Sequence, residues 1–138
     1  MSTSTLHDLI TVHGVDVEDH HDRDALVPVH TGMQRQGDVL VIPTPTGPEA
    51  TTPVPAAGVP VVRGESGGHT HLLLASGDVR CDTRPASTRD LTLAVVTVAE
   101  GGTAWLAHPE HAYSGLGPGT YALSRQREQA DELRIVAD

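Results

Sequence analysis

Short apolar runs separated by Gly, Pro and Asp make up most of the chain from residue 34 onward. Such runs, rich in β-branched residues, are typical of β-strands joined by turns. Because turn signals recur about every ten residues, we expect an all-β domain, a small antiparallel barrel or sandwich of about seven or eight short strands. The predicted strands are 39–42, 59–62, 70–75, 79–81, 91–98, 103–107, 120–127 and 133–136.

Several connections between these strands have distinctive sequences. Gly77 lies in a Ser-Gly-Asp turn that predicts a hairpin, in which 79–81 returns antiparallel to 70–75. The segment 43–60 is rich in proline, which cannot donate a hydrogen bond to a β-ladder. We therefore expect this segment to be an extended loop or a strand at the edge of a sheet. A glycine-rich turn is predicted at 115–119.

Residues 1–33 differ from the rest of the chain, because they lack alternation and contain a dense acidic run. We expect an acidic, solvated and flexible N-terminal arm with one short helix at 5–12, followed by a β domain over 34–138. Ser4 is the expected cap of that helix. The run from Glu18 to Asp22 contains carboxylates and imidazoles that are able to chelate a cation, but a solvated surface is the ordinary interpretation. On that interpretation the β domain folds without the arm.

The composition narrows the class of protein. The chain has one Trp, two Tyr and no Phe, so we expect a core of aliphatic side chains. The net charge of −9 argues against nucleic acid as a partner, because affinity for phosphate backbones comes from clustered Lys and Arg. The single cysteine, Cys81, excludes an internal disulfide.

The sequence has neither a signal-peptide pattern nor a run of about 18 apolar residues. We therefore expect no membrane partner. The expected location is the cytoplasm, or the inside of a virion or another particle.

Two histidine pairs form the main candidate site. His69 and His71 follow a glycine-rich turn at the start of a predicted strand, where residues i and i+2 point to the same face about 6.5–7 Å apart. His108 and His111 flank a Pro-Glu turn at the end of another predicted strand. If the pairs meet, their imidazoles suit one divalent transition metal, Zn, Fe, Ni or Mn. The complete set of predicted ligands is His69, His71, His108, His111, Glu65 and Glu110.

Other interpretations of these histidines stay open. Gly-Gly-His and His-x-x-His turns also occur for structural reasons, where the imidazole closes a turn by a hydrogen bond. A surface that responds to pH or binds a partner is a third interpretation.

Arg125 and Arg127 fall on one face of a predicted strand, and they are candidates for contact with an anion or with a partner's carboxylates. A solvated pair of charges is the ordinary alternative. Ser66 and Ser114 lie near histidines in the sequence, but neither stands in a nucleophile-elbow pattern. We therefore predict no catalytic residue.

Five motifs carry a resemblance to a known group of proteins. In this order they resemble a family of small uncharacterised proteins from bacterial and phage genomes, over about residues 34–138. The resemblance implies a phage or mobile-element origin and no established activity. A weaker likeness to cupins, which are metal-binding barrels, rests on the His-x-His that follows a glycine turn. The motifs are Gln36-Gly37-Asp38-Val39-Leu40, Gly68-His69-Thr70-His71, His108-Pro109-Glu110-His111, Pro118-Gly119-Thr120-Tyr121 and Arg125-Gln126-Arg127-Glu128.

Two classes of function follow from the sequence. The first is a non-catalytic structural or assembly protein, a homo-oligomer or a component of a larger assembly. The alternative is a cupin-like metal-dependent enzyme or a small-molecule-binding barrel. The shortage of aromatic residues favours the first class, because ligand pockets are usually lined by larger apolar and aromatic side chains.

Overall fold

The computed structural model describes residues 4–62, 70–84 and 92–125. Two five-stranded sheets pack face to face, which confirms the prediction of an all-β sandwich. The elements are α1 (Leu6–His13), β1 (Val29–His30), β2 (Gln34–Gln36), β3 (Val39–Pro43), β4 (Val59–Val62), β5 (His71–Ser76), β6 (Val79–Thr83), β7 (Thr92–Val98), β8 (Thr103–His108), β9 (Ala112–Leu116) and β10 (Gly119–Arg125). The predicted strand at 133–136 lies outside the described residues.

The two sheets differ in how they are assembled. Sheet 1 has the strand order β1-β9-β8-β5-β4, and sheet 2 has the order β2-β3-β10-β7-β6. Every strand pair among the described residues is antiparallel except β1 with β9, which is parallel. The one parallel pair therefore joins the N-terminal segment to the edge of sheet 1.

The predicted hairpin at Gly77 is wrong. β5 lies in sheet 1 and β6 lies in sheet 2, so the turn carries the chain from one sheet to the other. The turn after β7 crosses in the opposite direction, and the amide of Ala99 donates to the carbonyl of Asp78 at 3.0 Å. A Cβ on Gly77 would lie 3.1 Å from the Cα of Gly102, so the two crossing turns pack backbone against backbone. Glycine and aspartate suit both kinds of turn, which is why the sequence does not distinguish them.

The turn predicted at 115–119 begins too early, because Gly115 and Leu116 belong to β9. A Cβ on Gly115 would lie 2.7 Å from Cγ2 of Val29 and 2.9 Å from Cζ3 of Trp105. The glycine therefore allows β1 and β8 to approach β9 closely. A strand of this composition lacks the apolar run that marks its neighbours.

The proline-rich connection after β3 runs along the free edge of β6. The amide of Val54 donates to the carbonyl of Val79 at 3.0 Å, and the amide of Cys81 donates to the carbonyl of Thr52 at 2.8 Å. This agrees with the expected extended segment at the edge of a sheet. Covering an edge strand in this way blocks pairing with other chains.

The main core lies between the sheets and is aliphatic, apart from Tyr121 and Cys81. The hydroxyl of Tyr121 donates to the carbonyl of Gly117 at 2.7 Å, so its polar end is satisfied. The other fully buried side chains of this core include Leu73, Leu106, Leu116, Leu123, Val39, Val41 and Val96.

The N-terminal segment is packed rather than solvated, which corrects the expectation for this part of the chain. A second apolar cluster joins it to the outer face of sheet 1 and contains Leu6, Leu9, Val17, Val27, Leu74, Trp105, Ala107 and Tyr113. Helix α1 begins at the predicted place, but Thr5 caps it instead of Ser4, in a capping box with Asp8. Its apolar residues are few and widely spaced, so the acidic run dominates the sequence pattern. No helix in the described part of the chain is long and apolar enough to cross a bilayer.

Candidate metal centre

Two histidines face each other across neighbouring strands of sheet 1. His71 is the first residue of β5 and His108 is the last residue of β8. The register pairs Leu72 with Ala107, so the two histidines continue that antiparallel ladder by one step. Their ring centroids lie 4.3 Å apart, which is the proximity expected of a cross-strand pair.

The turn between β8 and β9 supplies a third imidazole. The ring centroid of His111 lies 4.6 Å from that of His108 and 6.1 Å from that of His71. Ala112, which closes the turn opposite His108, has a φ of 64°, a strained conformation for a residue with a side chain. The tight turn thus brings His111 back over the end of β8.

Burial divides the cluster into an inner and an outer part. His71 and His108 are each 5% exposed, whereas His111 and Glu110 are exposed. Three possible ligand atoms, one each from His108, Glu110 and His111, lie within 4.8 Å of one another. The cluster therefore opens at the surface through the turn and ends at His71 inside the protein.

His71 is held as a neutral imidazole. Burial, and then the neighbouring rings of His108 and His111, lower its pKa to about 4, against smaller opposing effects of the Gln36 backbone and Asp38. Among the described residues, neither buried ring nitrogen has a hydrogen-bond partner of ordinary geometry, although the backbone of Gln36 lies close enough to affect the pKa. Buried polar atoms are normally paired, so His71 is the unusual member of this cluster.

His108 is arranged differently. Its Nδ1 accepts from the amide of Glu110 at 3.1 Å and from the amide of His111 at 3.4 Å. Because Nδ1 accepts, a neutral His108 carries its proton on Nε2. If His108 binds a metal through Nδ1, these amides must release that nitrogen. If it binds through Nε2, that nitrogen must first lose its proton.

The turn between β2 and β3 closes the cluster from sheet 2. A Cβ on Gly37, which has a φ of 57°, would lie 2.7 Å from Nε2 of His111 and 3.4 Å from Nε2 of His71. A glycine is required both by this conformation and by the rings beside it. The sequence interpretation did not include Gly37 in the site, although it belongs to the first motif of the resemblance.

Gln36 braces the same region. Its side-chain Nε2 donates to the carbonyls of Leu106 and Ala112 at 2.9 and 3.3 Å, and to Oγ of Ser114 at 3.2 Å. Its Oε1 is buried without a partner. Gln36 thus ties sheet 2 to the β8–β9 hairpin, and Oγ of Ser114 is one of the acceptors in this contact.

The acidic N-terminal run also reaches the site, which the sequence alone did not indicate. The amide of Glu18 donates to the carbonyl of Pro109 at 2.8 Å. Nε2 of His21 lies 2.6 Å from the carbonyl oxygen of Glu110, and it must be the donor because a carbonyl only accepts. The ring of His20 packs beside His21 at 4.1 Å between centroids.

The predicted site residues have different outcomes. His71, His108 and His111 come together, and Glu110 lies beside the last two. His69, Glu65 and Arg127 lie outside the described residues. Arg125 is half-buried at the end of β10 in sheet 2, in register with Val39, and its predicted contact with a partner or an anion stays a prediction.

His108, Glu110 and His111 fit a transition metal in type and in spacing. Neutral imidazole and carboxylate are the donors that Zn, Fe, Ni and Mn accept, and three ligand atoms lie within 4.8 Å of one another. His71 needs no loss of a proton or a hydrogen bond to act as a ligand. For His108 to bind an ion through Nδ1, the turn would have to adjust, because the amides of Glu110 and His111 occupy that nitrogen.

A family model described as Domain of unknown function (DUF8820) matches residues 35–126. The match begins within β2 and covers the strands of the sandwich from there to β10, together with the histidine cluster. It leaves out the N-terminal segment with α1 and β1. No curated protein and no solved structure matches the chain.

Proposed function

The chain belongs to this family of unknown function, and we propose that it is a non-catalytic structural or assembly protein whose histidine cluster holds one divalent transition metal. The ligands at metal-binding spacing are His108, His111 and Glu110. His71, whose ring lies beside those of His108 and His111, is the fourth described ligand, and the metal is Zn, Fe, Ni or Mn. His69 and Glu65 stay predicted ligands. A phage or mobile-element origin and a location in the cytoplasm or a particle also stay predictions.

The state of His71 is the observation that carries this proposal. An imidazole whose two nitrogens are buried without partners costs free energy in a metal-free protein. Its low pKa leaves a lone pair free at neutral pH, and two further imidazoles stand beside it. A histidine that only closed a turn would use at least one nitrogen in a hydrogen bond, as His108 does.

An assembly role is supported by the position of the cluster. His111 and Glu110 are exposed at the tip of a hairpin, so an ion held there is accessible to a ligand from a second copy of the chain. Of the two serines near histidines in the sequence, Ser114 accepts a hydrogen bond from Nε2 of Gln36, and Ser66 lies outside the described residues.

The test is metal analysis of the purified protein with size-exclusion chromatography and light scattering. We expect about one ion per chain, a lower melting temperature after treatment with a chelator, and a larger molar mass with metal than without it. His71→Leu should lose the ion. His7→Ala, at an exposed histidine of helix α1, is the control and should keep it.

The two parts of the proposal fail separately. A protein that retains no ion, and whose melting temperature does not respond to added Zn²⁺ or to chelator, has no metal centre. A protein that binds the ion but keeps the mass of a monomer in both states has a metal centre without a role in assembly.

A further inference from the structure

The segment 16–23 is joined to the turn that carries the outer ligands of the cluster. Its contacts with that turn are the Glu18 amide on the Pro109 carbonyl at 2.8 Å and the His21 ring on the Glu110 carbonyl at 2.6 Å. Both contacts end on backbone carbonyls. They therefore fix the path of the turn whatever side chains it carries.

The same peptide groups are held from the other side by the cluster. The amides of Glu110 and His111 point to Nδ1 of His108, while the carbonyls of Pro109 and Glu110 point to the N-terminal segment. Two consecutive residues of the turn are thus fixed between the segment and the metal-binding histidines. Any shift of these peptides moves the side chains of Glu110 and His111.

The segment is itself anchored firmly enough to act as a support. Val17 is buried in the second apolar cluster, and the guanidinium of Arg23 donates to the Val17 carbonyl at 2.9 Å. The hydroxyl of Tyr113, on β9, donates to the carbonyl of Val15 at 2.8 Å. Burial raises the pKa of Tyr113 to about 12, so this hydroxyl stays a donor at any ordinary pH.

We propose that His21 is a positioning residue of the metal centre: through the Glu110 carbonyl it holds the β8–β9 turn where His111 and Glu110 reach an ion. The inference rests on the proposed function, since it concerns the same ion. It adds the N-terminal segment, which lies outside the family match, as a part of the centre. Groups that orient metal ligands typically contribute about 10- to 100-fold in metal affinity.

The experiment is a titration of the full chain with Zn²⁺, followed by calorimetry, and with Co²⁺, followed by its visible absorption. His21→Ala should weaken Zn²⁺ binding by about 10- to 100-fold and change the Co²⁺ spectrum, because the outer ligands lose their fixed positions. His21→Gln places a side-chain amide donor near the position of the His21 Nε2 and should restore Zn²⁺ binding. His7→Ala, at an exposed histidine of helix α1, should bind as the wild type does.

The outcomes separate this inference from the proposed function. If the wild type and His7→Ala bind no metal, the metal centre itself is absent. If both bind and His21→Ala binds with equal affinity and an equal Co²⁺ spectrum, His21 does not position the centre. Should His21→Ala fail to fold, His21→Phe keeps the ring volume without the donor, and the same comparison applies to it.

Discussion

His71 shows how one residue can be poor for stability and well suited to a ligand role. Its position at the start of β5 opposite His108 follows from register alone, and the sequence indicated it through the His-x-His spacing. The sequence did not predict that its ring lacks a hydrogen-bond partner among the described residues. That environment depends on Gly37 and Gln36, which the other sheet places beside the ring. Those residues are more than thirty positions away in the chain.

Replacing His71 should affect metal-free and metal-bound protein in opposite directions. In chelator, His71→Leu should raise the free energy of unfolding by about 1 kcal/mol, because it removes two buried unpaired polar atoms. With Zn²⁺ present, the wild type should gain stability and the variant should not. Chemical denaturation with and without metal measures both effects. A variant that is less stable than the wild type in chelator contradicts the view that this imidazole is unsatisfied.

At the scale of elements, the apolar runs predicted seven of the ten described strands, missed β1, β2 and β9, and did not predict which strands share a sheet. β4 was expected at 59–62 and is found there, and β8 extends the expected 103–107 by one residue. Period-two alternation says that one face of a strand is buried, but it does not say which strand lies beside it. This is why β5 and β6 were predicted as a hairpin although they lie in different sheets.

The faces of β7 illustrate the same limit. The sequence places Leu93 and Val95 on one face, whereas the core between the sheets takes the other face, with Ala94, Val96 and Val98. Leu93 and Val95 are nevertheless buried. A strand that is covered on both faces has a continuous apolar sequence. Periodicity alone therefore cannot identify which face of β7 points into the core between the sheets.

The pH dependence of stability tests whether helix α1 packs against sheet 1. His13, in its last turn, has an Nε2 that is buried without a partner, and burial lowers its pKa. A helix C-terminus favours positive charge, but here the loss of solvation is the larger effect. Since the unfolded chain takes up this proton near pH 6.5 and the folded chain only at lower pH, stability should fall as the pH drops below about 6.5.

The measurement compares melting temperatures in chelator at about pH 7.5 and about pH 5. His13→Phe, which keeps an aromatic ring beside Tyr113, should lose less stability between these values than the wild type does. Other groups titrate in the same range and contribute to both proteins, so only the difference between them reports on His13. Equal losses would mean that His13 is solvated and that α1 does not dock as described.

For the whole molecule, the two apolar clusters have separate origins. The cluster between the sheets contains no residue of the N-terminal segment, whereas the outer cluster joins that segment to Trp105 and Tyr113 of sheet 1. The family match likewise begins after this segment. The N-terminal segment therefore adds to sheet 1 a helix on its outer face, a parallel edge strand and contacts with the β8–β9 turn.

Deleting residues 1–32 should leave a folded but less stable protein with an exposed apolar face. The inter-sheet core stays intact, but Leu74, Trp105 and Tyr113 lose their cover, and β9 loses its partner β1. We expect a clear fall in melting temperature and binding of the dye ANS, which reports exposed apolar surface. In the full chain, Leu9→Asp should act in the same direction because Leu9 is 3% exposed, whereas Val12→Asp on the same helix, at 73% exposed, is the control. If the deleted protein keeps its melting temperature and does not bind the dye, the segment is dispensable for folding, as its acidic sequence indicated.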